Sequence, residues 1–250
     1  MIKHTLIFLL SYLFIGGSVH AVDLTPEQHA GYKRLSLNDQ QSFRAYVAGP
    51  PDARQGLLLL HGWRGLNREM EIWANQYAVQ GYRVMAIDLY NSQVANNPKV
   101  ARKLMNSLNQ QEANNKFRAA IKQLSKNGRK VAVLGRSFGA NQAIQAASVN
   151  DKAISAVVLF YPFGDVVKSD QPLTFTHAPV LGNFADKDFF FDKDRKEKFI
   201  SAAKNQGIKL KIKNYSARHG FSNIFGNNFD NKADLRSFKN TLSFLSQHLH

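Results

Sequence analysis

A serine hydroxyl is a poor nucleophile near neutral pH unless a base within hydrogen-bond reach takes its proton and a third group orients that base. One serine in this chain stands in a setting suited to that chemistry. The apolar run Lys130–Leu134 leads into Gly135-Arg136-Ser137-Phe138-Gly139, and a small-residue stripe of Ala140, Ala143, Ile144 and Ala147 follows directly. G-x-S-x-G between a strand and a helix makes a tight, strained turn that lifts the hydroxyl above the edge of a sheet. A phosphate-cradling loop fits less well. A dinucleotide loop needs glycine where Ser137 stands, and G-x-x-x-x-G-K-[S/T] occurs nowhere in the chain.

Hydrolases of this geometry place nucleophile, acid and histidine in that order along the chain. The histidines after Ser137 are His177, His219, His248 and His250. His177 precedes an apolar run, at the wrong edge of a sheet, and the terminal pair rides on the last helical stripe. His219 follows the run Ile208–Ile212 and is followed by Gly220, which leaves the backbone free to aim the ring. Three aspartates are candidates for the acid: Asp165 after the run Ile154–Tyr161, and Asp186 and Asp188 after Pro179–Phe184. Spacing does not choose among them, and turn or helix capping is the commoner use of aspartate. The developing oxyanion needs backbone donors, one from Phe138 just after the nucleophile and one from the turn His61-Gly62-Trp63-Arg64-Gly65 after the first apolar run. His61 itself reads as a residue that holds this turn rather than as a second catalytic group.

The elements that must position these groups alternate. Runs rich in Val, Ile and Leu at Gly56–Leu60, Tyr82–Ile87, Lys130–Leu134, Ile154–Tyr161, Pro179–Phe184 and Ile208–Ile212 suit strands buried on both faces. Between them lie helical stripes: Met70, Trp73, Ala74 and Tyr77; Phe117, Ala120, Ile121 and Leu124; and finally Leu235, Phe238, Leu242, Leu245 and Leu249. The pattern predicts an α/β fold, a doubly wound, mostly parallel sheet with helices on both faces and the ligand at the carboxyl ends of its strands. The Asn-rich pieces Asn91–Asn97 and Asn223–Asn231 read as surface loops. With 44% apolar and 20% charged residues, and no internal repeat, one domain over 22–250 is expected.

Residues 1–21 have the order of an export signal: Lys3, an apolar stretch from Leu6 to Ile15, then Val19-His20-Ala21 before the cleavage point. The stretch is shorter than the roughly 18–20 residues of a spanning helix, and no later segment is apolar enough to serve as one. A periplasmic or secreted location is therefore expected. The absence of cysteine excludes disulfides, thiolate metal sites and a cysteine nucleophile. The net charge of +15 points to an anionic surface such as cell-envelope material. The basic residues are scattered rather than interleaved with aromatics, so nucleic acid is not the expected partner.

In His61-Gly62-Trp63-Arg64-Gly65-Leu66-Asn67, Ala78–Tyr90, the Gly135–Ala140 turn, Ala185–Asp188 and Arg218-His219-Gly220-Phe221, the chain resembles the dienelactone hydrolase family of α/β-hydrolases. The resemblance implies that Asp188 is the acid, with Ala185 in place of the family's glycine, that His219 is the base, and that Trp63 and Phe138 supply the oxyanion N–H groups. It also makes Asp88 part of a structural turn. Two departures bear on the substrate: family members that open dienelactones carry a cysteine where this chain has Ser137 and a glutamate where it has Gly62. The expected activity is thus that of a carboxylic ester hydrolase acting on small esters through an acyl-enzyme, with no metal or organic cofactor. An amidase or peptidase using the same three residues, and a non-catalytic envelope-binding module on a hydrolase fold, are the competing readings. Trp63, Phe138, Phe189, Phe190, Phe191, Phe221 and Phe225 lie near the proposed site and would suit an apolar or aromatic substrate, although core packing explains at least half of them equally well.

Overall fold

The computed structural model describes residues 30–149, 151–166 and 177–250, so the proposed leader at 1–21 lies outside the described residues. A single eight-stranded sheet organises them in the order β1-β2-β4-β3-β5-β6-β7-β8. The strands β3 (Gln55–Leu60), β4 (Arg83–Ile87), β5 (Lys130–Arg136), β6 (Ile154–Phe160), β7 (Val180–Lys187) and β8 (Leu210–Arg218) are parallel. At one edge β1 (Gly31–Ser36) and β2 (Ser42–Ala48) run antiparallel.

The central strands are apolar throughout because each feeds two cores. Leu58, Leu60, Val131 and Val133 pack on one face under α3 (Gln110–Leu124), α4 (Phe138–Ser148) and α5 (Lys193–Asn205). Leu57, Leu59, Ala132 and Leu134 pack on the other under α1 (Arg68–Ala78) and α6 (Asn231–His248). Strand order reverses at β3, which lies between β4 and β5, so the carboxyl ends of β3 and β5 meet at the switch point of the fold.

The differences from the expected elements have physical reasons. Strands β1 and β2 were not foreseen, since β1 (GYKRLS) is an edge strand with most side chains in solvent and carries little apolar alternation. Helix α2 (Pro98–Asn106) buries only Ala101 and Leu104, and α5 only Phe199 and Ala203, so neither shows a strong stripe. β8 starts after Ile208 and runs on through polar residues to Arg218, because as the other edge strand it buries only part of each face. The buried residues within α6 are Ala233, Ser237, Thr241, Phe244 and Leu245; of the expected stripe, Leu245 is among them, Leu249 is buried just past the helix, Phe238 and Leu242 pack half-buried against the same core, and Leu235 is only half-buried. Polar Thr241 is tolerated there because its hydroxyl accepts a hydrogen bond from Asn183 Nδ2 at 3.3 Å.

Candidate active site

The turn after β5 is shaped by close backbone approach. A Cβ on Gly135 would stand 1.9 Å from the carbonyl oxygen of Gly139, and one on Gly139 would stand 2.1 Å from that of Leu60. Both positions therefore require glycine. Between them Ser137 takes φ 54 and ψ −124, a conformation that costs a side-chain-bearing residue about 1–3 kcal/mol and persists only where the surroundings over-determine it. Its N–H donates to Phe160 O at 2.9 Å and its carbonyl accepts from Ala140 N at 2.8 Å. Phe138 begins α4, so the helix itself cannot satisfy its N–H.

Ser137 Oγ lies 2.8 Å from His219 Nε2, and His219 Nδ1 lies 2.8 Å from Asp188 Oδ2. An ionised Asp188 accepts from Nδ1–H, which leaves the Nε2 lone pair facing the serine hydroxyl. The other carboxylate oxygen, Oδ1, accepts the backbone N–H groups of Phe190 at 2.8 Å and Phe191 at 3.0 Å. β7 bulges against β8 between Ala185 and Lys187, and Asp188 is the first residue beyond the strand. His219 follows directly on the last residue of β8, and Asn228 Nδ2 donates to its carbonyl at 3.0 Å. The imidazole is boxed by the rings of Phe190 and Tyr161, with centroids 5.0 and 5.1 Å away.

A cavity of about 220 Å³ opens over Ser137 and His219. Gly62, Trp63, Tyr161, Phe163 and Phe190 form much of its wall, and Arg102 and Met105 of α2 close one side. Arg136, also in the wall, is buried with its guanidinium carbon 4.0 Å over the Trp73 ring and Nη1 3.1 Å from Glu69 Oε1. Burial pushes the Glu69 carboxyl above its ordinary value, against the pull of Arg136.

The other candidates stand elsewhere. Asp186 pairs with Lys196 at 3.6 Å and Asp165 with Arg195 at 3.2 Å, both carboxylates exposed. His177 precedes β7 at the amino end of the sheet, while His248 and His250 lie at the end of α6 and beyond. Asp88 is buried and holds its turn by accepting the N–H groups of Tyr90 and Ser92. His61 is buried too. Its Nε2 accepts from Leu89 N at 3.1 Å, so Nδ1 carries the proton and donates to Gly62 O at 2.8 Å. Burial lowers its pKa, which keeps the ring neutral in this structural role. A Cβ at Gly62 would meet nothing closer than Arg136 O at 3.6 Å, so the missing glutamate is a chemical difference and not a steric one.

Of the expected aromatic wall, Trp63 and Phe190 line the cavity, whereas Phe191 and Phe221 are core and Phe189 and Phe225 point to solvent. Phe138 stacks on Tyr90, ring centroids 6.3 Å apart. Sequence reasoning missed Tyr161, Phe163 and the Arg136 to Glu69 pair. Tyr161 follows β6 at the carboxyl edge, a position that could have drawn attention, but its φ of 36 and its hydroxyl contact with Ser222 at 2.7 Å have no sequence signature.

Residues 43–249 match the dienelactone hydrolase family. Among curated relatives, Protein usf of Aquifex pyrophilus is 28% identical over 192 residues, covering 72% of this chain and 82% of its own length. Among solved structures, a dienelactone hydrolase-like promiscuous phosphotriesterase from metagenomic libraries superposes with a TM-score of 0.74 at 17% identity, covering 89% of this chain and 100% of its own. Esterase 2 of Thermogutta terrifontis in its apo form gives 0.66 at 17% identity, covering 90% and 97%. With the α/β-hydrolase sheet and the matched span together, the chain belongs to the dienelactone hydrolase family and is a hydrolase of the esterase type.

Proposed function

We propose that this protein hydrolyses carboxylic esters through an acyl-enzyme formed on Ser137, with His219 as general base and acid and Asp188 as the group that orients it. The observation that carries the reading is the unbroken relay from Asp188 Oδ2 to His219 to Ser137 Oγ, both links at 2.8 Å, on a serine held at positive φ. As Oγ attacks the ester carbonyl, its proton passes to Nε2 and the imidazolium is stabilised by the buried Asp188 carboxylate. The oxyanion is received by the N–H groups of Trp63 and Phe138, donors that act where charge develops and so favour the transition state over the bound ester. Collapse of the intermediate expels the alcohol with the proton returned by His219. Water, deprotonated by the same nitrogen, then releases the acid and regenerates the serine.

The leader-like residues 1–21 support export, and the mature chain then begins near Val22 in the periplasm or outside the cell. The aromatic wall of Trp63, Tyr161, Phe163 and Phe190 suits an apolar or aromatic substituent on the ester. A fluorophosphonate probe tests the chemistry: covalent labelling that maps to Ser137 and vanishes in Ser137→Ala is expected, and an unlabelled, well-folded protein would refute the enzyme reading. Intact mass of protein recovered from the periplasm or medium of an expressing host tests export, a chain starting near Val22 being the expected product.

A further inference from the structure

Large apolar side chains left in water are concentrated around the cleft. On the two loops that flank His219, Phe189 is 85% exposed, Phe225 63% and Phe190 44%, with Ile224 and Phe229 beside them also in solvent. Val94, beside Gly65 of the cavity wall, and Val100 on α2 are exposed as well. Isolated exposed apolar residues are normal, but five on the two loops beside one cleft, with Phe190 in its wall, form a rim that marks an interaction surface. The turns that display them are internally bonded. Asp188 Oδ1 holds the N–H groups on either side of the Phe190 side chain's position, and Asn223 Oδ1 accepts from Phe225 N at 2.9 Å.

Next to the Phe229 end of this rim is an open depression of about 330 Å³ lined by Lys187, Arg218, Asn227, Asn228, Phe229 and Asp230. Lys187 and Arg218 are register partners on β7 and β8, and both line this depression. The Asp230 carboxylate there is engaged in capping α6, accepting from Ala233 N at 2.9 Å. The whole chain carries +15, so a second copy pressed against this face would have to overcome like-charge repulsion, whereas a negatively charged surface attracts it.

We propose that this rim docks on an anionic phospholipid bilayer. Phe189 and Phe225 enter the headgroup region, Lys187 and Arg218 face lipid phosphates, and the cleft opens onto the surface, from which it draws its ester. Aromatic side chains with neighbouring Lys and Arg are the groups that favour such an interface. That the docked cleft hydrolyses what it meets rests on the Ser137 reading, but docking itself does not, so binding is measured on Ser137→Ala protein. That protein should sediment with vesicles containing phosphatidylglycerol and only weakly with pure phosphatidylcholine, and about 0.5 M NaCl should release it. Adding Phe189→Ser and Phe225→Ser should lower phosphatidylglycerol binding at least tenfold. In the active protein, the same two substitutions should leave turnover of a soluble short-chain ester within about twofold while removing turnover of an ester carried in the vesicles. Equal vesicle binding with and without the two phenylalanines would overturn the proposal. So would a dimer in sedimentation equilibrium that the two substitutions convert to monomer, which would make a second copy the occupant.

Discussion

The Ser137 turn and the two loops carrying Asp188 and His219 come within 2.8 Å of one another, yet they are built by different forces. The turn is set by backbone crowding. Gly135 approaches the Gly139 carbonyl within the turn and Gly139 that of Leu60, each at a distance that no Cβ allows, and Ser137 holds its positive φ between them. The loops are set by hydrogen bonds to side chains: Asp188 gathers two N–H groups and an imidazole, and Asn228 ties the His219 carbonyl. Placement of Ser137 therefore tolerates no added atoms at its two glycines. Placement of His219 and Asp188 depends instead on the identity of a few polar groups.

Removing the nucleophile separates chemistry from architecture most sharply. With the hydroxyl, which lies in the cavity wall, as the proposed attacking group, Ser137→Ala should cut ester turnover by about 10³-fold or more. Thermal unfolding should stay near that of the parent, since no core cavity opens; a large loss of stability with retained turnover would contradict the assignment.

Gly139→Ala tests the other side of the contrast. On an exposed helix this change stabilises by about 0.5–1 kcal/mol. Here the new methyl would stand 2.1 Å from Leu60 O, and the turn should lose about 3 kcal/mol in denaturant unfolding. A neutral or stabilising result would show that the turn can widen and that crowding does not define it.

A smaller effect is expected beneath the turn, where Arg136 acts on two carboxylates, Glu69 and Asp234. Burial pushes Asp234 up to about 6, helped by the charge on Glu69 and opposed by Arg136. Because the folded-state value is the higher one, ionising Asp234 costs stability, a cost absent below about pH 4 and fully present above pH 6. Asp234→Asn should therefore stabilise the protein by about 2 kcal/mol at pH 7.5 and by little near pH 4, read from unfolding curves at the two pH values. An equal effect at both would assign the gain to packing.

The contrast between the two regions also explains what could be read in advance. Crowded backbone demands glycine, so the turn advertises itself as Gly135-x-Ser137-x-Gly139, and strands buried on both faces advertise themselves as continuous apolar runs. Bonds between side chains distant in sequence carry no local pattern. Arg136 and Glu69 are 67 residues apart, and nothing near either announces the pair. Asp186 and Asp188 are chemically identical and two residues apart; the strand bulge that sends one toward Lys196 and the other toward His219 is a property of the β7 and β8 pairing. The phenylalanines illustrate the same limit, since Phe189 and Phe191 flank one loop position yet one is 85% and the other 1% exposed. Edge strands β1 and β8 escape or are shortened because strands whose side chains are largely exposed and often basic lack the apolar signal of the centre.

Whether Asp188 is the residue that orients His219 is measured most directly by kcat for ester hydrolysis by Asp188→Asn, Asp186→Asn and Asp165→Asn proteins side by side. Asparagine keeps the shape of the side chain but favours the wrong histidine tautomer. Asp188→Asn should lose about 10²-fold or more in kcat, while Asp186→Asn and Asp165→Asn, whose carboxylates pair with Lys196 and Arg195, should remain within about tenfold of the parent. A crippled Asp165→Asn beside a mild Asp188→Asn would contradict the relay and move the acid to the loop after β6.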